Sequence, residues 1–453
     1  MNEKFSKIGF ILAVAGSAVG LGNAWKFPTL VGQNGGSAFI LLYLILTLGV
    51  SFVIFLAEIA IGRLSESDAV SAFRKLAPKH KEKWKFAGYF MITALLIYSF
   101  YGVVMGWILK YTITSIYYLP KTIEESADKF GALLSSSLLV SVVCFTICSV
   151  VCFYILSKGV KSGIERLNVW MMPALFILLI LMVLYSVSAE GFVKSLKFLL
   201  IPDFGALNKD SVLKALGLAF FTLSLGVTTI ITYAASLPAK TNILTSSLSI
   251  VFINILIGIM MGLIVFTFIF TFNANPNQEG PGLIFISLTM LFSKLGIAGH
   301  ILAVGFFVAL LFAAITSAVS MIEPTIFYLI NNHGFTRIRA IICIFTITYI
   351  LGLCCIFGYY VPTSGSFSLF GKSFFDCLDY LTSNILMPVS GIVTAIFVGF
   401  ILKKRSLFIL LGRYMGRAIF ELWYFLLRFV APIAVLIIML EQLGVLKLLG
   451  LSK

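Results

Sequence analysis

Apolar residues fill this chain in long uninterrupted stretches, and polar residues collect in the short gaps between them. A bilayer's hydrocarbon layer, ~30 Å thick, is crossed by roughly 20 helical residues rising 1.5 Å each. About eleven stretches meet that length, near residues 5–31, 37–62, 86–118, 134–156, 163–187, 212–236, 243–272, 299–331, 338–358, 374–402 and 419–443. Short alternating segments of the kind that build barrels are absent from the pattern. Linkers, low-complexity runs and soluble modules are absent too, so residues 1–453 read as a single transmembrane domain.

Two stretches are interrupted where a plain spanning helix would carry Leu and Val. The first holds Gly16-Ser17-Ala18-Val19-Gly20-Leu21-Gly22-Asn23; the sixth holds Thr222-Leu223-Ser224-Leu225-Gly226-Val227-Thr228-Thr229. Glycine is a poor helix former, and backbone groups freed in hydrocarbon cost several kcal/mol each unless something satisfies them. A helix broken at mid-membrane can use those groups to hold a ligand, and a pair of breaks points to a transporter's binding site. Close helix packing on small residues is the competing reading of either break alone. If the stretches near 5–187 and 212–402 are inverted repeats, the two breaks correspond, and 419–443 is an extra C-terminal helix.

Composition agrees with an all-α integral membrane protein: 60% of residues are hydrophobic, 11% are charged, and the mean hydropathy is +1.07. A net charge of +15 would suit nucleic acid, but its basic residues sit in loops. Lys4 and Lys7, the run 63–85, the run 158–166, Lys240, Arg337 with Arg339, and the run 403–417 fall on alternate sides of successive spans. That bias puts the N-terminus in the cytoplasm of a multi-pass protein, here assigned to a bacterial inner membrane. Ala13-Val14-Ala15 after Lys4 and Lys7 imitates a signal-peptide cleavage site, yet cleavage there would cut the glycine stretch from its helix. All seven cysteines lie in apolar spans, and Cys144, Cys148 and Cys152 share a helical face as small core residues. The sequence holds no Asn-x-Ser/Thr glycosylation site.

Three connecting regions stand out. Residues 75–85 are basic and suit a cytoplasmic surface near anionic lipid. Residues 273–295, with Pro276, Gly280, Pro281 and Gly282 before a short apolar run, suit a lid or re-entrant segment. Gly163 and Pro173 weaken the fifth span near its cytoplasmic end, either for local unwinding or as a fixed kink.

The two breaks, with Phe27-Pro28 and Asn34-Gly35-Gly36 after the first and Phe220-Phe221 and Ile231-Thr232-Tyr233 around the second, resemble the neurotransmitter:sodium symporter family. So do Ala313-Ala314-Ile315-Thr316-Ser317 in the eighth span and Asp376 with Asp379 in the tenth. The match runs in order along nearly the whole chain, and eleven spans is similar to many bacterial amino-acid transporters of the leucine-transporter type. The resemblance implies the 5+5 inverted repeat with broken helices 1 and 6, and sodium as co-transported ion (one or two). One ion would take Ala18, Asn23, Thr222 and Asn254, completed by the substrate carboxylate. The other would take Gly16, Val19, Ala313, Thr316 and Ser317. Sodium favours hard oxygen ligands, as other hard cations do. Read alone, Thr316-Ser317 is more often a pair of helix-packing hydroxyls, and Asn254 serves equally as an interhelical hydrogen bond.

By the same resemblance, the substrate lies between the breaks, its carboxylate on half-helix N–H groups and the Tyr101 hydroxyl. Gly20 stands where monoamine-transporting relatives carry an aspartate, which leaves room for an amino acid's own carboxylate. The pocket would be formed by Ser17, Ala18, Leu21, Gly22, Ile97, Tyr101, Phe221, Thr222, Ser224, Val227, Ser317 and Met321. Val227 replaces the Phe or Met of several relatives, which favours large aliphatic or aromatic side chains. Trp25 and Trp107 read as packing or interfacial residues.

An outer gate of Lys26, Asp379, Tyr101 and Phe221 is implied, with Lys26 in place of the family's arginine and therefore without its bidentate fork. Lys26 and Asp379 are expected to meet through one contact or a water. The cytoplasmic latch departs further: residues 1–5 carry no matching arginine and tryptophan, Asn331 replaces the helix 8 aspartate, and Ser236 replaces a tyrosine. The chloride positions of chloride-dependent members correspond to Tyr43, Leu218, Thr222, Asn254 and Gly258, two of which lack a donor. Chloride is therefore not expected, nor is an organic cofactor or nucleic acid; the partners are the amino acid and the bilayer.

Alternatives within the fold are a proton-coupled transporter, for which the membrane acids Glu58 and Glu323 are candidates, and a non-transporting amino-acid sensor. A membrane enzyme would need an acid, Cys or His cluster at mid-membrane, and His80, His300 and His333 lie at loops or span ends. The chain is accordingly read as no enzyme.

Overall fold

The structure, a computed structural model, describes residues 4–238, 241–274, 280–369 and 371–445. Among these, nine continuous helices are long and apolar enough to cross a membrane: α2 (Ser37–Ser65), α3 (Lys81–Thr114), α4 (Leu138–Ser157), α5 (Val160–Ser186), α7 (Ile243–Thr271), α8 (Ile297–His333), α9 (Arg337–Tyr359), α10 (Phe374–Ile401) and α11 (Lys404–Gln442). The tenth span is α1, whose halves Lys7–Ala18 (α1a) and Gly22–Gln33 (α1b) meet at 57°. A second broken helix, α6, has halves Lys209–Thr222 (α6a) and Thr229–Ala235 (α6b), each too short to cross a membrane alone. Both breaks fall where the glycine pattern predicts them.

Helix starts follow from capping residues in the polar gaps. Ser6, Asn242, Thr336 and Ser373 each accept a hydrogen bond from the third residue onward, at α1a, α7, α9 and α10. Asn208 and Ser211 form a reciprocal box at α6a. Such a cap stabilises a helix by ~1 kcal/mol, and here it fixes where each span begins.

Helices that hydropathy alone did not resolve occupy the connections. Ile123–Ser135 stands apart from α4, which begins at Leu138 rather than 134, and Phe192–Leu200 packs against α7. The last span starts earlier than predicted, at Lys404, and bends at Gly416 with φ 72°. Leu283–Ser293 forms the short apolar helix expected of the lid, whereas Pro276 lies outside the described residues. In α5, Val160–Glu165 is a π-helical segment, and a β-carbon on Gly163 would collide with the Ile155 carbonyl. A two-residue antiparallel ladder, Ser368–Leu369 with Lys372–Ser373, links α9 to α10.

Burial sorts the spans. In α3, 83% of the apolar window is buried, against 28% in α5 and α11, so α3 runs through the interior while α5 and α11 present broad faces to lipid. α8 packs along α3, α1a lies against α8, α7 and α5, and α2 packs against α6b. The two broken helices thus sit at the centre, ringed by continuous ones.

Candidate functional site

The break in α6 is built on left-handed backbone. Ser224 (φ 51°), Gly226 (φ 77°) and Thr228 (φ 60°) adopt it within five positions. For Ser and Thr this costs of order 1–3 kcal/mol and persists only where the surroundings demand it. Part of the compensation is local: the Ser224 hydroxyl donates to the Ser17 carbonyl in the α1 break, 2.9 Å away. The Gly226 N–H donates to Glu58 Oε1 on α2 at 2.9 Å, and a β-carbon there would strike the Met387 carbonyl, so glycine is required.

Along the seam of α1 and α8, oxygens converge. Ser317 Oγ lies 3.1, 3.0 and 3.1 Å from the carbonyls of Gly16, Ser17 and Val19, although its single proton can serve only one at a time. Thr316 Oγ1 is 3.0 Å from the Ala313 carbonyl. All five residues named by the resemblance for one ion therefore contribute oxygen to this seam.

The second set gathers where α1b meets α6a and α7. Asn23 Nδ2 donates to Asn254 Oδ1 at 2.8 Å and to its carbonyl at 2.9 Å, while Asn23 Oδ1 is buried with no hydrogen-bond partner among the described residues. Thr222 Oγ1 and the Tyr43 hydroxyl are 3.0 Å apart, and Asn254 Nδ2 is 3.5 Å from that hydroxyl. An orphaned buried carbonyl oxygen costs about 1–3 kcal/mol, and a hard cation is what such an oxygen, beside Thr222 and Asn254, suits. Of the chloride positions, Leu218 is buried and apolar, and Gly258 offers only backbone beside Phe27 and Asn23. Groups of three or more His, Cys, Asp or Glu side chains fit to hold a metal are absent among the described residues.

Between the two oxygen sets lies a cavity of only about 40 Å³, far below the roughly 300–1,000 Å³ usual for small-molecule sites, so a bound substrate needs it to widen. All twelve residues named for the substrate line it, joined by Gly20 and by Met387 of α10. The Tyr101 hydroxyl accepts the Leu21 N–H at 3.4 Å. A β-carbon on Gly20 would lie 2.7 Å from Ser317 Oγ and 3.1 Å from that hydroxyl, so any side chain there would displace both. Ile97, Val227 and Met321 make the opposite wall apolar.

Towards the end away from the N-terminus, Phe221 and Met387 divide this cavity from a vestibule of about 170 Å³ that also reaches Lys26 and Lys214. Here a sequence expectation is corrected in part. Lys26 makes no direct ion pair with Asp379; its ammonium lies 4.1 Å from the Phe221 ring centre, and Asp379 Oδ1 instead accepts the Ser383 hydroxyl at 2.9 Å. The aromatic face competes for the ammonium, which lacks the planar fork that would hold arginine to a carboxylate.

The end of the bundle that carries the N-terminus is closed by several elements. Phe5 is buried with its ring 5.4 Å from Tyr233 and 6.3 Å from Phe10, and its N–H donates to the Ser236 carbonyl at 3.1 Å. Ser6 donates through its amide and hydroxyl to Glu165 of α5. Arg337 grips Glu323 with both arms, at 2.6 and 3.0 Å, and donates Nε–H to the Leu156 carbonyl at 2.6 Å. Asp68 accepts Asn332 at 2.9 Å and Asn331 at 3.4 Å, so the amide at 331 is engaged although the usual acid is missing. Residues 1–3 lie outside the described residues.

Glu58 and Glu323 are thus both held, by the Gly226 amide and by Arg337. Sequence reasoning missed Met387, Glu165, Arg337 and, on α5, the fully buried Asn168. None belongs to a motif, and a polar residue in an otherwise apolar span was the available signal for Asn168.

A profile of the sodium:neurotransmitter symporter family matches residues 2–123 and 121–453. An uncharacterized sodium-dependent transporter of Bacillus subtilis (strain 168), YhdH, is 38% identical over 450 residues, covering 97% of each chain. An uncharacterized sodium-dependent transporter of Haemophilus influenzae is 34% identical over 450 residues with the same coverage. The crystal structure of MhsT in complex with L-phenylalanine is similar at a TM-score of 0.87 and 35% identity, covering 98% of this chain and 100% of that one.

Proposed function

The chain belongs to the sodium:neurotransmitter symporter family, a family of sodium-dependent membrane transporters rather than enzymes, and on that premise we propose that it imports an amino acid with a large aliphatic or aromatic side chain. The observation that carries this reading is the cavity between the two breaks, whose polar floor of freed backbone and hydroxyls faces an apolar wall of Ile97, Val227 and Met321. A similar chain is crystallised with L-phenylalanine, whose side chain the apolar residues here would suit once the cavity widens.

In this reading two sodium ions travel with the substrate. One is bound by Ala18, Asn23, Thr222 and Asn254 together with the substrate carboxylate, and the other by Gly16, Val19, Ala313, Thr316 and Ser317. Because α7 offers Asn254 and Gly258 in place of a carboxylate, the first ion's charge is balanced mainly by the amino acid. Its affinity is then weak until substrate arrives, and chloride plays no part. Sodium binding stabilises the outward-facing, substrate-competent arrangement, and alternating access follows from moving α1 and α6 against the ring. The whole of residues 1–453 acts as one domain in a bacterial inner membrane, its N-terminus in the cytoplasm.

Uptake into proteoliposomes decides the matter. Labelled phenylalanine, leucine, tryptophan and alanine should accumulate only under an inward sodium gradient. The pair Thr316→Ala with Ser317→Ala should abolish sodium-dependent binding in protein that still inserts. Binding without uptake would make the protein a sensor, and uptake driven by a proton gradient in sodium-free buffer would make it a proton symporter.

A further inference from the structure

Asn168 is fully buried on α5 and belongs to neither oxygen set described above. Its Nδ2 donates to the Ile164 carbonyl one turn earlier, at 2.8 Å, which accounts for the amide nitrogen alone. Its Oδ1 has no hydrogen-bond partner among the described residues. That oxygen faces Gly16: a β-carbon built on Gly16 would meet Asn168 Oδ1 before any other atom, and Thr316 Cβ at 3.1 Å. Asn168 Oδ1 therefore stands beside two members of the α1–α8 oxygen seam, in the space that glycine at position 16 leaves open. Asn23 repeats the arrangement at the other set, with its nitrogen donating to protein and its oxygen left over.

We propose that Asn168 is a further sodium ligand, its Oδ1 adding a sixth oxygen to those of Gly16, Val19, Ala313, Thr316 and Ser317. This rests on the sodium reading given above. A buried amide oxygen without a donor is costly, whereas a hard cation is satisfied by six to eight neutral or charged oxygens. The ligand also ties the ion to α5. Glu165, one turn before Asn168 on that helix, holds Ser6 at the start of α1a, so α5 grips α1a at its cytoplasmic end and at its break. Sodium in the seam would fasten the second grip, and its departure would release α5 directly beyond the π-helical segment Val160–Glu165.

The test needs no knowledge of the substrate. Thermal unfolding of the purified full chain is followed while sodium replaces choline at constant ionic strength, for wild type, Asn168→Leu, Asn168→Asp and the Thr316→Ala with Ser317→Ala pair. Asn168→Leu should require at least tenfold more sodium for half of the maximal rise in melting temperature. Asn168→Asp keeps the oxygen and loses the donor to Ile164, so it should respond at wild-type sodium concentrations or below. If Asp behaves like Leu, or Leu like wild type, Asn168 serves only its hydrogen bond within α5 and the proposal fails. Should Asn168→Leu not fold, Asn168→Ala, which also removes the oxygen, is judged by the same criterion. A full sodium response in the Thr316→Ala with Ser317→Ala pair, or no response in wild type, would instead overturn the underlying sodium reading and this proposal with it.

Discussion

The two ends of the central cavity are shut by unequal means. At the end away from the N-terminus, here called outer, one aromatic ring with an ammonium 4.1 Å above it and the Met387 side chain stand between the cavity and a vestibule of about 170 Å³. At the N-terminal, inner end lie the Phe5 plug, the Ser6–Glu165 clamp, the Glu323–Arg337 pair and the Asp68–Asn332 bridge. A cation–π contact contributes ~0.5–2 kcal/mol, while breaking a buried ion pair costs about 3–5 kcal/mol. The difference teaches which way the chain opens more readily: displacing one ring at the outer end costs less than dismantling the layers beneath. On the proposed mechanism, sodium would have little to overcome in favouring the outer side, and most of the work of transport would fall on opening the inner one.

The largest effect that would break this asymmetry is expected at Arg337. Arg337→Met removes the cation from a buried carboxylate and should cost about 3–5 kcal/mol of stability, measured by unfolding in mixed micelles, with the double change Arg337→Met and Glu323→Met restoring most of it. A single-variant loss under 1 kcal/mol would mean the inner closure does not depend on the pair. Glu165→Gln weakens a charge-assisted clamp by about 1.5–3 kcal/mol, and its readout is faster labelling, from the cytoplasmic side, of a cysteine placed at Phe10 in a cysteine-free background. Unchanged labelling would leave the clamp without a role in closure. In the chamber between the two ends, Val227→Phe should disfavour bulky substrates by roughly 1–3 kcal/mol, and an unaltered ranking of tryptophan, phenylalanine, leucine and alanine would show that Val227 does not face the cargo. At the thin outer end, Lys26→Met should reduce uptake by no more than ~2 kcal/mol in the rate barrier and Lys26→Arg should be tolerated. Asp379→Ala should lower uptake more than equilibrium binding, and equal losses would assign Asp379 to the fold. The smallest effect is none: replacing chloride by gluconate should leave uptake unchanged, and a several-fold fall would reveal an anion site built from other residues.

What could be read from the chain follows how local each signal is. The spans and both breaks were legible because hydropathy and glycine act on consecutive residues. The cavity lining was legible because Gly16 to Asn23 and Thr222 to Val227 carry a specific resemblance. The amphipathic helices Ile123–Ser135 and Phe192–Leu200 were not, being too short and too polar for a hydropathy pattern to separate from loop. Glu165 with Ser6, and Arg337 with Glu323, are pairings across space that no local pattern announces, and Lys26 chose a ring over the carboxylate that charge alone suggested. Asn168 was visible as an oddity, but its free oxygen exists only once α5 lies against Gly16.

Glu58 and Gly62 stand one turn apart on α2, and both are committed to α6. Glu58 takes the Gly226 amide at the lip of the break, while Gly62 admits Ile231 and Ala234 of α6b so closely that a β-carbon would collide with the Ile231 carbonyl. Mechanically, α2 and α6b are one lever with its fulcrum at the break. The lever is long, since α2 counts 29 residues and so reaches about 43 Å. Its far end is tethered too, where the Ser37 hydroxyl donates to the Ile201 carbonyl ahead of α6a. A tilt of the seven residues of α6b would therefore be carried along α2 to the opposite end of the bundle.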